Sequence, residues 1–345
     1  MIYFQCDYAE GAHPRILDAL VKTNFEQTPG YGVDVHCQNA CKLIQEKIGK
    51  SDARVHFLVG GTQTNLTVIA SLLKPHQGVI GVDTGHISCH ETGAIEATGH
   101  KVLQIPAEDG KLSSDKLQAF LKNYWADDTH EHIVEPGMVY ISSPTEVGTV
   151  YTKKELESLK QICRKYQIPL FLDGARLGYG LASEENDVFW KDLPNLVDVF
   201  YIGGTKCGAL FGEAVVFCDD QNLDRHFRPI MKQKGGMLAK GRLLGIQFET
   251  LFTEDLYEKI TTQAVQEALR IRDAFKAKGF EFLVDSPTNQ QFPILDRKSI
   301  ETLSQKFDFM IWPDNGEEKL ATRFCTSWAT KSEQVDELIA EIQQL

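Results

Sequence analysis

The sequence predicts an α/β protein: a seven-stranded, mostly parallel sheet with helices on both faces, followed by a smaller C-terminal α/β domain. Three observations carry this expectation. Short β-rich runs alternate with helical stretches from residue 55 to about residue 220; the last two runs are joined by a link too short for a crossover; and beyond residue 240 the pattern changes to a long helical stretch trailed by short strands.

The runs are VHFLV (55–59), GVIGV (78–82), KVLQI (101–105), MVYIS (138–142), PLFLD (169–173), DVFYIG (198–203) and EAVVF (213–217). Their β-branched and aromatic content and their length favour strands. Between them, TKKELESLKQICRKY (152–166) puts Leu156, Leu159, Ile162 and Cys163 on one stripe at three-and-four spacing, which predicts an amphipathic helix. Alternation of this kind means βαβ units, hence parallel strands covered on both faces. The glycine-rich link after residue 203 leaves no room for a crossover helix, so the final pair is expected to be antiparallel. Residues 241–279 read as helical; FEFLV (280–284), QFPIL (291–295), FMIW (309–312) and ATRFCTSW (321–328) read as strands before a terminal helix. The expected division is a large domain over 1–249, including an N-terminal arm, and a small domain over 250–345.

The chain has 345 residues, 42% of them hydrophobic, and a net charge of -12. It is long enough to bury a large core. Its acidity, without a local basic run, argues against nucleic acid and anionic membrane surfaces as partners. The start, MIYFQCDYAEG, has neither the basic nor the apolar segment of a signal peptide, and no eighteen apolar residues run unbroken. A soluble cytoplasmic protein is expected. The eight cysteines form no C-x-x-C pair and sit in apolar segments, as reduced core thiols do. Cys37 and Cys41 with His36 lack further ligands at zinc-like spacing, so no metal is expected.

In open sheets of this type ligands collect beyond the carboxyl ends of the strands, and here those ends are polar. After 55–59 comes GGTQTN, then a helix at once. Gly60 and Gly61 allow close backbone approach, and Thr62 with the free N–H groups of the first turn makes either an anion site or a plain capped turn. No G-x-G-x-x-G or P-loop pattern occurs. After 169–173 comes DGAR. Asp173 ends an apolar run, and Arg176 is placed to neutralise it as a structural pair. After 198–203 comes GGTKCGA, where Lys206 is hemmed by Gly203, Gly204 and Gly208; alone it reads as a turn lysine reaching water. Together an anion cradle, a strand-end acid and a glycine-flanked lysine describe a pyridoxal 5′-phosphate site: phosphate on a helix start, carboxylate on the ring nitrogen, amine on the aldehyde. A hydrophobic pocket would keep that amine uncharged, and the glycines would make room for the cofactor.

These residues resemble the L-threonine aldolase and β-eliminating lyase family of fold-type I pyridoxal-phosphate enzymes, over nearly the whole length. YGVD (31–34), GGTQTN, TGHISCHETGA, DGAR, GGTKCGA and RFCTS follow the family's motif order. The resemblance implies that Lys206 bonds the cofactor, Asp173 pairs with the ring nitrogen, His86 stacks on the ring, and Gly61 and Thr62 hold the phosphate with a hydroxyl from Thr205. Arg176 and Arg323 would grip the carboxylate of an amino-acid substrate. It also implies a homodimer or homotetramer, with Tyr31 and Lys240 in segments that reach the partner's cofactor.

Three departures stand out. Cys6 replaces a serine whose hydroxyl would help hold the substrate carboxylate, Glu146 in SSPTEVGTVY takes the place of a histidine beside the substrate β-hydroxyl, and Leu238 fills the slot of a phosphate-binding arginine that Lys240 would have to replace. The expected reaction is cleavage of L-threonine or L-allo-threonine to glycine and an aldehyde, with Glu146 as base for the β-hydroxyl. β-Elimination by the same cofactor is the alternative.

Overall fold

The computed structural model describes residues 1–218, 222–312, 316 and 318–345. The seven runs form strands: β2 (Arg54–Leu58), β3 (Gln77–Val82), β4 (Val102–Ile105), β5 (Glu135–Ser142), β6 (Leu170–Asp173), β7 (Val199–Gly203) and β8 (Glu213–Phe217), after a short N-terminal β1 (Ile2–Tyr3). They make one sheet in the order β2-β8-β7-β6-β5-β3-β4. β8 runs antiparallel to both β7 and β2, whereas β3, β4, β5, β6 and β7 pair in parallel. The expected antiparallel pair is therefore present, and its return strand is inserted between β7 and β2.

Both faces of the sheet are covered, which is why its strands read as near-continuous apolar runs. Successive residues alternate between two cores. Ile80, Val139, Ile141, Leu170, Leu172, Phe200, Ile202 and Val216 face one; Val79, Met138, Tyr140, Phe171, Val199, Tyr201 and Val215 face the other. The period of two then carries Asp173 onto the face of Phe171, Tyr140 and Tyr201. The helix Lys153–Tyr166 forms as expected, closed by a Thr152–Glu155 capping box and buried through Leu156, Leu159 and Cys163.

The C-terminal part holds β9 (Gln290–Gln291), β10 (Ile294–Asp296), β11 (Phe307–Asp308), β12 (Met310–Ile311) and β13 (Lys319–Cys325). β10, β12 and β9 all pair with β13 in antiparallel fashion. Two sequence expectations change here. Residues 280–284 form no strand, and 291–295 is broken between β9 and β10. The cause is Pro293: it has no N–H to give, so contact with 280–284 shrinks to Leu283 N–Phe292 O at 2.9 Å, Ile294 N–Glu281 O at 2.8 Å and an isolated bridge.

The core on one face of the sheet meets a third, C-terminal core along the helix Leu256–Ala277. Leu256, Ile260, Ala264 and Leu269 pack under the large sheet. Ile271 and Phe275 pack with Leu295, Phe324 and Leu338 in the C-terminal core. The expected division at 249/250 falls inside the helix Arg242–Phe252, so the change of core comes a helix later. The N-terminal arm crosses over as well: β1 pairs in parallel with β11, and Phe4 is buried in the C-terminal core. Among the described residues no helix is long and apolar enough to cross a membrane.

Candidate active site

Asp173 ends β6 at 4% exposure. Its Oδ2 accepts from Tyr140 Oη at 2.6 Å and Asn65 Nδ2 at 3.0 Å; its Oδ1 accepts from Tyr201 Oη at 2.5 Å and from the Ala175 amide at 3.0 Å. Tyr140 and Tyr201 come from the strands on either side, and Asn65 comes from the helix Gly61–Leu72 that leaves β2. Four donors orient one carboxylate, and none of them is the Arg176 expected from sequence.

Lys206 lies in the turn that leaves β7. Tyr179 donates to its carbonyl at 2.6 Å, and Tyr257 donates to that of Gly203 at 3.0 Å. Its Nζ sits 6.0 Å from the centroid of the Tyr8 ring and has no hydrogen-bond or ion-pair partner among the described residues. Burial lowers its pKa below the ordinary lysine value; Arg176 adds to this, against the charges of Asp7, Asp173 and Glu213. The neighbouring glycines are required by packing within the protein itself. A Cβ on Gly203 would stand 2.2 Å from the Ala175 carbonyl oxygen, and Gly208 has φ +97° with Ile260 2.6 Å from its Cβ position.

Under this turn lies Glu213, the first residue of β8 and 3% exposed. Its Oε1 accepts from Thr205 Oγ1 at 2.8 Å, its Oε2 from the Gly204 amide at 3.1 Å, and Thr205 Oγ1 accepts in turn from Gly212 N at 3.1 Å. Burial pushes the carboxyl up to about 8, against the Thr205 bond and the charge of Lys206.

His86 starts a short helix after β3. Its Nδ1 is 2.8 Å from Glu91 Oε1, which also accepts from Asn65 Nδ2 at 2.7 Å. Burial works against the imidazolium, yet the bond to Glu91 and the charges of Asp173 and Glu91 prevail and raise its pKa above the ordinary value. The His86 amide and the Ser142 hydroxyl both donate to Glu146 Oε1 at 2.8 Å. Glu146 Oε2 is buried without a partner among the described residues. Burial raises the pKa of this carboxyl; Ser142 opposes, and the Asp173 charge adds to the rise.

Arg176 reaches the same cleft but is held by the fully buried Asp7, Nε to Oδ2 at 2.7 Å and Nη2 to Oδ1 at 3.0 Å, with Asn289 Nδ2 also on Oδ2 at 2.9 Å. Burial opposes the Asp7 charge, but Arg176 and Lys206 hold the carboxyl below the usual range. Arg323, on β13, gives Nη2 to Gln5 O at 2.9 Å and Nη1 to Gln290 Oε1 at 3.2 Å. Its charge is felt by Tyr8, and by His90 together with that of Lys206. Cys6 sits beside it on the arm, its thiol 4.0 Å from Tyr3 Oη. Tyr31 and Lys240 neighbour one another through Tyr31 N–Ala239 O at 3.2 Å, and both are exposed. Among the described residues no contact joins them to the Asp173–Lys206 group.

Pyridoxal phosphate needs an amine, an anion cradle and a carboxylate, and each has a counterpart. Lys206 offers a partnerless amine. The helix Gly61–Leu72 begins at Gly60 with no side-chain cap, leaving first-turn N–H groups near Gly61 and Thr62 for an anion. Asp173 would supply the carboxylate; since it already meets about as many donors as a carboxylate accepts, a ring N–H would have to share or replace one. Asn65 Oδ1 and Glu91 Oε2 are buried without partners on the same floor. The residues present fit the cofactor. Sequence reasoning passed over Asn65, Glu91, Asp7 and Glu213, although the first two stand inside GGTQTN and TGHISCHETGA, and Glu213 opens an apolar run as conspicuously as Asp173 closes one.

Comparison with known proteins agrees with this geometry. The profile of the Beta-eliminating lyase family matches residues 7–290. A low specificity L-threonine aldolase of Pseudomonas sp. (strain NCIMB 10558) is 28% identical over 348 residues, covering 99% of this chain and 96% of that protein. The structure of a threonine aldolase from Leishmania major superposes with a TM-score of 0.96 at 42% identity, over 100% of this chain and 99% of the other. An aspartate aminotransferase from Thermus thermophilus, at 14% identity and TM-score 0.71, covers 100% of this chain and 91% of its own and shares the fold alone.

Proposed function

The chain belongs to the beta-eliminating lyase family, and from that premise we propose that it is a pyridoxal-phosphate-dependent lyase cleaving β-hydroxy-α-amino acids, L-threonine or L-allo-threonine, to glycine and an aldehyde. Its fold is that of the fold-type I pyridoxal-phosphate enzymes. One observation carries the reading: an uncapped helix start, a buried carboxylate and a partnerless lysine amine lie at the carboxyl ends of β2, β6 and β7. The threonine aldolases matched along almost the entire chain support the substrate class.

Bound in this cleft, pyridoxal phosphate supplies an electron sink for the bond broken at the substrate α-carbon. Lys206 provides the amine that holds it, kept reactive by burial and Arg176. Asp173, steadied by Tyr140 and Tyr201, would pair with the ring nitrogen; His86, oriented by Glu91, would pack on the ring; and the first turn at Gly61 and Thr62 would take the phosphate. Arg323 offers its guanidinium to the substrate carboxylate. Arg176 has two of its nitrogens committed to Asp7, so its share is the remaining Nη1.

Glu146 accepts the β-hydroxyl proton. One of its oxygens is anchored twice, the other is buried and free, and burial brings its pKa toward working pH. The base must be ionised, so cleavage should rise with pH through the raised pKa of this carboxyl. Glu146→Gln should lose that limb and lower threonine cleavage by roughly 100- to 10,000-fold, while exchange of the glycine α-proton, which involves no β-hydroxyl, stays near normal. A loss of only a few fold would place the base elsewhere, with His86 next.

The reading as a whole is tested by assaying the purified protein against a panel of β-hydroxy and β-leaving-group amino acids. Glycine and acetaldehyde from L-threonine are expected. Faster ammonia and keto-acid release from a β-leaving-group substrate would replace aldol cleavage with elimination.

The chain works as a homodimer or homotetramer, in which Tyr31 and Lys240 meet a partner's site and Lys240 supplies the cation for the phosphate that the apolar Leu238 cannot. Val21 at 77% exposure and Phe25 at 94%, with the exposed Leu17, Val33 and Val35 nearby in sequence, support a covered apolar face. Sedimentation of the active protein as a monomer would contradict it.

A further inference from the structure

Glu213 is a buried acid that the reaction outlined above does not use. Its position is set by register: in the sheet it lies opposite Gly203 of β7 and Leu58 of β2. Two and three residues past Leu58 come Gly60 and Gly61, where the uncapped helix begins; directly past Gly203 come Gly204, Thr205 and Lys206. Glu213 thus stands between the two strand ends that present the anion cradle and the lysine. It binds the second of them through the Gly204 amide and the Thr205 hydroxyl.

That hydrogen bond runs in a direction that matters. An ionised Glu213 accepts the only proton of Thr205, so the threonine has none to give to an anion. A neutral Glu213 reverses the bond: its own O–H donates to Thr205 Oγ1, which also accepts from Gly212 N, and the threonine proton is released toward the cleft. An ionised acid so close to a phosphate dianion would also repel it. Resting on the pyridoxal-phosphate reading, we propose that Glu213 is a positioning residue that carries a proton when the phosphate is bound, relaying it as a hydrogen bond through Thr205 and so linking phosphate affinity to pH.

Burial agrees with this, since it pushes the carboxyl up to about 8 and a nearby dianion would favour the neutral acid further. The charged and titratable groups around it are Lys206 and Cys207 from the turn, Asp173 from β6, Tyr201 from β7 and Tyr257 from the helix Leu256–Ala277. Of these, Lys206 is the one whose own titration also changes anion affinity, so the test must separate the two.

Pyridoxamine 5′-phosphate and pyridoxamine both lack the aldehyde and cannot bond Lys206; their ratio of dissociation constants isolates the phosphate. The phosphate monoester is close to a dianion above pH 7. In the wild-type protein the advantage of the phosphorylated compound should fall about tenfold between pH 7 and 9.5. Glu213→Gln, which keeps an acceptor and a donor without titrating, should hold the pH 7 advantage throughout. Thr205→Val should show a reduced advantage with no slope, an independent reading should Glu213→Gln fail to fold. A wild-type slope retained in either variant, or a flat wild-type ratio, overturns the role of Glu213 alone. Failure of both compounds to bind at any pH overturns the cofactor reading and the proposal with it.

Discussion

Lys206→Ala should lower kcat/KM for L-threonine by about 10,000-fold or more, to the level at which binding groups act without the covalent partner. The structure makes this the largest single effect. The Lys206 amine is the one cation of the cleft with no partner among the described residues: Arg176 is in the grip of Asp7, and Arg323 is tied to Gln5 and Gln290. The variant should fold, because the turn is held by Tyr179, Tyr257 and Glu213 through backbone atoms and Thr205, not through the lysine side chain. Borohydride treatment of the loaded wild-type protein should leave the label on Lys206. A label mapped to Lys101, Lys232 or Lys234, or a Lys206→Ala variant with appreciable turnover, would remove Lys206 from the chemistry.

Asp173→Ala should cost about 100- to 1,000-fold in kcat, the scale seen when a preorganised charge at the reacting system is deleted. A second effect follows from the four donors that converge on this carboxylate. Without it, Tyr140, Tyr201 and Asn65 are left with unmet hydrogen-bonding groups in a region closed to water, at about 1–3 kcal/mol each where no replacement partner is found. The melting temperature should therefore fall along with activity, and binding of pyridoxal phosphate should raise it less than in the wild type. Calorimetry with and without cofactor reads this directly. Unchanged stability together with near-normal turnover would mean that Asp173 is neither the floor of the site nor its charge.

The polar groups at the strand ends were legible in the sequence because their placement is local. GGTQTN, DGAR and GGTKCGA each follow an apolar run, and a residue that ends a strand of a doubly wound sheet faces the crevice by topology alone. Asp173, Lys206, His86 and Glu146 do converge. What escaped were the residues that act on these from a distance along the chain. Asp7 reaches Arg176 across 169 positions, Asn289 reaches Asp7 across 282, and neither contact has a periodic or spacing signature. Arg176 was readable as a partner for a buried acid, but its partner is Asp7, since Asp173 is filled by two tyrosines and an asparagine. Tyr31 and Lys240 are both exposed, and among the described residues no contact ties them to the Asp173–Lys206 group, so the roles proposed for them are not read from one subunit.

The same division runs through the fold. All seven strands of the large sheet, the amphipathic helix at 153–166 and the antiparallel last pair follow from periodicity and link length, quantities set by the covalent geometry of a few consecutive residues. The insertion of β8 between β7 and β2, the parallel pairing of β1 with β11 and the passage of the helix Leu256–Ala277 from one core to the other do not. These join residues tens to hundreds of positions apart. They are chosen by which apolar faces and unpaired backbone groups can be buried together, a competition among surfaces that exists only once the chain has collapsed. Local pattern thus determined which residues stand at the strand ends, and tertiary packing decided which strand ends are neighbours, placing Glu213 between the cradle and the lysine.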